Sequence, residues 1–141
     1  IMDVKIDTNA KAVAKRIGKK GKELSASVKR ALSVTAQVGI NIIEARTSKG
    51  VGFKGGKFKK YTPIYAAFRA SRGRSTNPDL QFTGQMLSSM TSRSNSRRAE
   101  IFFTRATESK KAAMNNKTRP FFGFSNREEK QLGEVFFRAL K

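Results

Sequence analysis

The sequence predicts an α+β fold: a long N-terminal helix and a C-terminal amphipathic helix packed on a small antiparallel sheet. Three observations carry this. Over residues 22–47, Leu24, Val28, Ala31, Thr35, Val38, Ile42 and Ala45 recur at alternating spacings of four and three, with Leu32 and Ile43 widening the stripe, as a core-facing helix requires. After Ser125, Leu132, Val135, Phe136, Ala139 and Leu140 share one helical face, while Arg127, Lys130, Glu134, Arg138 and Lys141 fall elsewhere. Between the two helices, short runs over 88–93 and 99–104 read as a hairpin, with a turn at Ser94-Asn95-Ser96 and with Ile101 and Phe103 inward.

The remaining elements follow in chain order. Residues 2–7 alternate, with Val4 and Ile6 on one face and Asp3, Lys5 and Asp7 on the other, which suits a half-buried strand. Thr8 or Asn9 can cap a basic, weakly anchored helix over 10–20 that Gly18 and Gly21 interrupt. In the long helix that comes next, Ser33, Thr35, Gln37 and Gly39 favour an ordinary core helix over a coiled coil.

Residues 48–60 combine Gly50, Gly52, Gly55 and Gly56 with Lys49, Lys54, Lys57, Lys59 and Lys60, which predicts a mobile Gly/Lys-rich loop. It is not a Walker A loop: with Gly56-Lys57 as its end, Val51 stands at the first glycine and Phe58 at the hydroxyl position. Thr62 then caps a short helix with Pro63 at its first position, continuing through Tyr65, Phe68 and Ala70. The polar run 71–79, with Arg72 and Arg74, breaks it at Gly73, Asn77 and Pro78. Leu80, Phe82, Met86, Leu87 and Met90 form an apolar set around Thr83-Gly84, a helical turn passing into a strand, and 107–115 reads as helix.

The last segment has the clearest punctuation. In Arg119-Pro120-Phe121-Phe122-Gly123-Phe124-Ser125, Pro120 pushes Arg119 out of the α region and Gly123 permits a turn. Ser125 and Glu128 match a capping box, so a helix starts at about Asn126. Three phenylalanines in four residues before that cap predict a core plug, because burying each is worth roughly 1.5–3 kcal/mol.

Composition limits the chemistry. At 141 residues the chain fits one domain. It has no cysteine and no histidine, which removes disulfides, thiolate metal sites, imidazole bases and Ser-His or Cys-His nucleophile pairs. No apolar run approaches the ~20 residues of a membrane span and no signal-peptide pattern is present, which predicts a soluble chain with no membrane partner. The formal charge of +20 divides as +11 over 1–60, +4 over 61–100 and +5 over 101–141. A field of that strength attracts polyanions and acidic protein surfaces and opposes self-association unless partners neutralise it.

Three signatures in order resemble the tailed-bacteriophage tail-completion and head-tail joining proteins, the virion-morphogenesis, minor-tail and tail-terminator-like group. They are Gly55-Gly56-Lys57-Phe58-Lys59-Lys60-Tyr61-Thr62-Pro63 after a long helix, the block Leu80-Gln81-Phe82-Thr83-Gly84-Gln85-Met86-Leu87-Ser88-Ser89-Met90, and Arg119 to Ser125 before the closing helix. The chain departs from that pattern in lacking a tryptophan near the Pro63 helix start, and in having 107–116 where relatives carry an aromatic-Ala-x-x-His/Gln-x-x-Gly strand and turn before the Arg-Pro-Phe block.

The resemblance implies one neck domain over 1–141 with no bond chemistry and no cofactor: a structural virion subunit that completes the tail or joins it to the head. It implies a homo-oligomeric ring, a hexamer by analogy, around the DNA path. Its partners would be tail-tube and connector proteins, with non-specific contact to packaged DNA. Its location would be the virion neck or tail, and the host cytoplasm during assembly. Residues placed for assembly contacts or the DNA path are Lys54, Lys57, Lys59, Lys60, Arg72, Arg74 and Arg119; those of the framework are Pro63, Leu80, Thr83, Gly84, Pro120, Phe121, Phe122, Gly123 and Phe124.

Two other classes compete. A small basic nucleic-acid-binding protein is supported by the clusters at 15–22 and 54–60 and by Phe residues able to stack bases. A metal-dependent nuclease is disfavoured, since Asp79, Glu100, Glu128, Glu129 and Glu134 form no pair placed for two-metal work.

Overall fold

Helix α1 (Lys19–Ser48) is the element on which the rest of the chain is laid. At 1.5 Å per residue it is about 45 Å long. The computed structural model describes residues 3–7, 19–81 and 83–140. Besides α1 these form β1 (Asp3–Asp7), α2 (Pro63–Ser71), α3 (Gln85–Ser88), β2 (Met90–Ser94), β3 (Arg98–Phe103), α4 (Ala106–Thr118) and α5 (Asn126–Ala139). The expected cap at Thr8 or Asn9, all but the last two residues of the helix expected over 10–20, and Met2, Phe82 and Lys141 lie outside the described residues.

The buried line of α1 is Val28, Ala31, Leu32, Thr35, Ala36, Ile40, Ile43 and Thr47. This differs from the stripe predicted by alternating fours and threes: Val38 and Ile42 are half-buried and Ala45 is exposed. The reason is geometric. A strict seven-residue repeat slips by ~20° per heptad against a straight α-helix, so over three heptads the predicted positions drift off the core. The helix also starts three residues ahead of the expected Lys22 and runs through Gly21, which does not interrupt it.

Gly39 sits mid-helix, where a Cβ would lie 2.9 Å from Phe124 Cζ and 3.2 Å from Ile101 Cδ1. Its missing side chain lets the sheet and the aromatic plug close on α1, at a propensity cost of about 1 kcal/mol.

The sheet has the order β1-β3-β2, antiparallel throughout, with Val4 opposite Ile101 and Met90 opposite Phe103. Along β3, Ala99, Ile101 and Phe103 are buried in strict alternation, giving the sheet one apolar face toward α1. The β2–β3 turn is fixed by Asn95, whose Oδ1 accepts the Arg97 and Arg98 N–H groups at 2.8 and 2.9 Å.

Helix α5 packs on α1 through Leu132, with Phe136 and Leu140 partly buried against the same core. Its start is the expected capping box: the Ser125 hydroxyl accepts the Glu128 N–H at 3.2 Å, and Glu128 Oε1 accepts the Ser125 N–H at 2.9 Å. Helix α2 also begins as expected, with Pro63 at its first turn and the Thr62 hydroxyl accepting the Tyr65 N–H. The fold is therefore the α+β arrangement read from the sequence.

Candidate functional site

The aromatic block ahead of α5 is framework. Phe121 and Phe122 are buried, with ring centroids 6.0 Å apart and 6.5 and 5.1 Å from that of Phe103; Phe124 packs against the core more shallowly. Asn116 Oδ1 accepts both the Phe121 and Phe122 N–H groups at 3.0 Å. The Gly/Lys loop docks on the same block. Phe53 N–H donates to the Pro120 carbonyl at 3.1 Å, and Gly52 lies so close that a Cβ there would be 2.6 Å from that oxygen. The Phe53 ring covers Gly123, whose added Cβ would be 2.9 Å away.

Arg46, near the end of α1, clamps this block. Its Nη1 donates to both Glu128 oxygens at 2.6 Å, and its Nη2 donates to the Phe121 and Gly123 carbonyls at 2.6 and 2.9 Å. Sequence reasoning missed Arg46 because its partners lie 75 to 82 residues away. One signal was present: a cation three residues after Ile43 stands at the edge of an otherwise apolar stripe.

A second arginine organises the surface on the α2 side. Arg69 is 1% exposed. Its Nε donates to the Ser75 carbonyl at 2.7 Å, and its Nη2 donates to Asp79 Oδ1 at 3.0 Å and the Gln81 carbonyl at 3.3 Å. These bonds tie the polar run after α2 back onto the helix. Leu80, inside that tie, has φ +58° and is buried, a left-handed conformation uncommon for a branched residue. Its N–H donates to the Tyr61 hydroxyl at 3.3 Å.

Tyr61 is the centre of this region. The Arg69 and Arg119 guanidiniums lie 4.9 and 4.7 Å from its ring centroid, and Tyr65 meets it edge-on at 5.0 Å. Burial pushes its phenol above the usual tyrosine range, against the lowering effect of the Leu80 N–H.

Arg119, read from the sequence as an assembly or DNA-path residue, is committed internally as well. Its Nε donates to the Lys59 carbonyl at 2.7 Å and its Nη2 to the Lys60 carbonyl at 3.2 Å.

These residues line a groove of about 520 Å³ between α2 and α4, with Tyr61, Tyr65, Phe68 and Arg69 on one wall and Glu108, Lys111, Asn115 and Arg119 on the other. Leu80, Thr83, Gly84 and Met86 also line it. Gly84 takes φ +80° before α3, and the Thr83 hydroxyl accepts the Gln85 N–H at 3.3 Å.

The other predicted residues are spread over the surface. Lys54, Lys57, Lys59 and Lys60 are exposed along the loop, which Val51 and Lys57 close by a bridge. Arg72, its guanidinium 5.3 Å from the Phe68 ring centroid, and Arg74 are exposed beyond α2. The groove thus gathers Arg119, Leu80, Thr83 and Gly84 but not the lysines at the loop tip.

Among the described residues, ion pairs join Asp3 with Lys5, Asp79 with Arg69, Glu100 with Arg93, Glu108 with Lys111 and Glu128 with Arg46. Among the described residues, no group of three or more His, Cys, Asp or Glu could hold a metal ion, and no helix is long and apolar enough to cross a membrane. Comparison with known proteins finds no matching family model, no similar curated protein and no similar solved structure.

Proposed function

We propose that the chain is a structural subunit of a phage neck or tail end, a ring-forming protein that completes the tail or joins it to the head around the DNA path. The observation that carries this reading is how the charged groups divide. Of the carboxylates weighed for chemistry, Asp79, Glu100 and Glu128 are paired to cations within the fold, as is Glu108, while the loop lysines and the arginines beyond α2 face outward. That division suits a wall-building part that meets acidic neighbours and phosphate. It does not suit a site that makes or breaks bonds.

The motif block fits the same role, since Pro120, Phe121, Phe122 and Gly123 hold the loop, α1 and α5 together and leave loops and α2 for contacts. In assembly, α1 and α5 form the rigid wall and the loop 48–60 carries cations toward neighbours or DNA. Each phosphate contact adds a salt-dependent increment to affinity, so a lining that only guides DNA needs few of them.

Light scattering of the purified chain, alone and mixed with a tail-tube or connector protein, tests the proposal. A closed ring, sixfold by the resemblance, is the expected result; a strict monomer with no affinity for either partner overturns it. The second reading, a basic sequence-independent nucleic-acid binder, is favoured by the +20 charge and by the exposed lysines of the 54–60 cluster. It would take the lead if duplex were bound at nanomolar concentration in physiological salt without any partner protein.

A further inference from the structure

We propose that the outer face of α2 and the groove beside it form the docking surface for an acidic amphipathic segment of another protein, its apolar side chains on Ile64, Tyr65 and Phe68 and its carboxylates on the surrounding lysines and arginines. The proposal rests on the assembly reading only for the identity of that protein.

The apolar half of the surface is explicit. Ile64 is 86% exposed, Phe68 44% and Tyr65 38%. Ile64 and Phe68 are four residues apart and Tyr65 and Phe68 three, so they make one continuous strip, and the Tyr65 and Phe68 rings stack at 6.2 Å. Helix α2 is held by its Thr62 cap and by Arg69, while Ile64 adds almost no burial and Tyr65 and Phe68 keep more than a third of their surface open. Aromatic and aliphatic side chains left outside a helix that is fixed by other means mark an interaction face.

The charge around the strip selects the partner. Residues 49–78 carry eight Lys or Arg and no Asp or Glu. Lys59 and Lys60 lead into the groove at Tyr61, Arg72 lies over Phe68, and Lys111 stands on the far wall. A second copy meeting this face with its own would bring the same charges against these, and like-charge juxtaposition opposes it.

A nucleic acid fits less well, because Glu108 lines the groove with its side chain 4% exposed. One of its oxygens is held by Lys111 at 3.0 Å and the other has no hydrogen-bond partner among the described residues. That carboxylate on the groove wall disfavours phosphate inside the groove and leaves the outer lysines and arginines as the places for a partner's carboxylates. Ile64 offers nothing to a base and much to an apolar side chain.

The test uses the whole chain and a fluorescein-labelled helical peptide with Leu and Phe at i, i+3, i+4 and i+7 and Glu at the flanking positions. Fluorescence anisotropy should show binding to wild type, at least about tenfold weaker to Ile64→Ser or Phe68→Ser and unchanged to Phe137→Ser, an exposed aromatic on α5. A peptide with Ser in place of Leu and Phe should lose most of its affinity. Equal binding of that Ser peptide, or no effect of Ile64→Ser and Phe68→Ser, overturns the proposal. So does an oligonucleotide whose binding the same two substitutions weaken as much as they weaken the peptide's.

The two readings fail separately. If the peptide result fails while wild type still enters a ring, the docking face is wrong and the assembly role stands. If the peptide result holds and no ring or partner complex forms, the assembly role falls and the docking face remains.

Discussion

Arg46 and Arg69 do the same thing in two regions with opposite outcomes. Each is a largely buried guanidinium that spends its donors on one carboxylate and two backbone carbonyls: Glu128, Phe121 and Gly123 for Arg46, and Asp79, Ser75 and Gln81 for Arg69. Around Arg46 the apolar residues point inward, with Phe121 at 0% exposure. Around Arg69 the neighbouring Phe68 and Tyr65 are turned out. An arginine fork can close a core, or it can hold a surface in place without one.

The largest effect should come from the interior of the first region. Phe121→Ala removes a fully buried ring that touches Phe103 and Phe122, and a loss of about 3–5 kcal/mol in urea unfolding is expected. Arg46→Ala should follow closely, at roughly 3 kcal/mol, because Glu128 and two carbonyls lose their donors in a site where the arginine side chain is 10% exposed. A loss below about 1 kcal/mol, the range of exposed pairs, would show that α5 and the plug are held by apolar burial alone, and the parallel between the two forks would break.

Arg69→Met sharpens the contrast. It removes the tie on 75–81 but opens no apolar core, so opening should be local. Amide exchange should accelerate over 65–81 and stay unchanged in α1 and β3. Equal acceleration in all three would mean that α2 belongs to the cooperative core after all.

How far these regions could be read from the sequence differs for a physical reason. Periodicity, caps and turns are local, so α1, the Thr62 and Ser125 caps, the hairpin and the Phe121–Phe122 plug were all legible. The two arginine forks were not: the partners of Arg46 lie 75 to 82 residues away, and those of Arg69, though only 6 to 12 residues on, sit in a polar run whose path no periodicity sets. Arg119 shows the same limit in reverse: an arginine before a proline looked like a surface contact, yet it donates to Lys59 and Lys60 carbonyls some 60 residues back. The drift of the α1 stripe came from reading a 3.5-residue repeat into a straight helix.

A smaller effect is expected on the sheet, away from both forks. The Arg93 guanidinium hydrogen-bonds Glu100 at 2.8 Å across the hairpin and holds its carboxyl below the ordinary 4.5, against a smaller raising effect of desolvation. A carboxyl lowered in the folded state contributes stability that is fully present above its unfolded value and is lost as pH falls through the folded value. Glu100→Gln should therefore be slightly less stable than wild type at pH 7, and the gap should begin to narrow below about pH 4.5 and vanish once pH is below the folded value. A gap that stayed constant down to acid pH would assign the effect to side-chain packing rather than to the ion pair.

The smallest effect on folding belongs to Ile64→Ser, and it is the most telling for the second region. At 86% exposure the side chain buries almost nothing, so urea unfolding should change by no more than about 0.5 kcal/mol. A loss beyond that would mean that Ile64 supports α2, and the outward strip would then be part of the fold. If folding is untouched, the strip is there for contact: evidence from stability would then separate α2 from the plug, where every aromatic removed is expected to cost the core. The same protein that unfolds like wild type should fail to hold an apolar, acidic partner, and that combination is what distinguishes a surface kept for binding from one kept for structure.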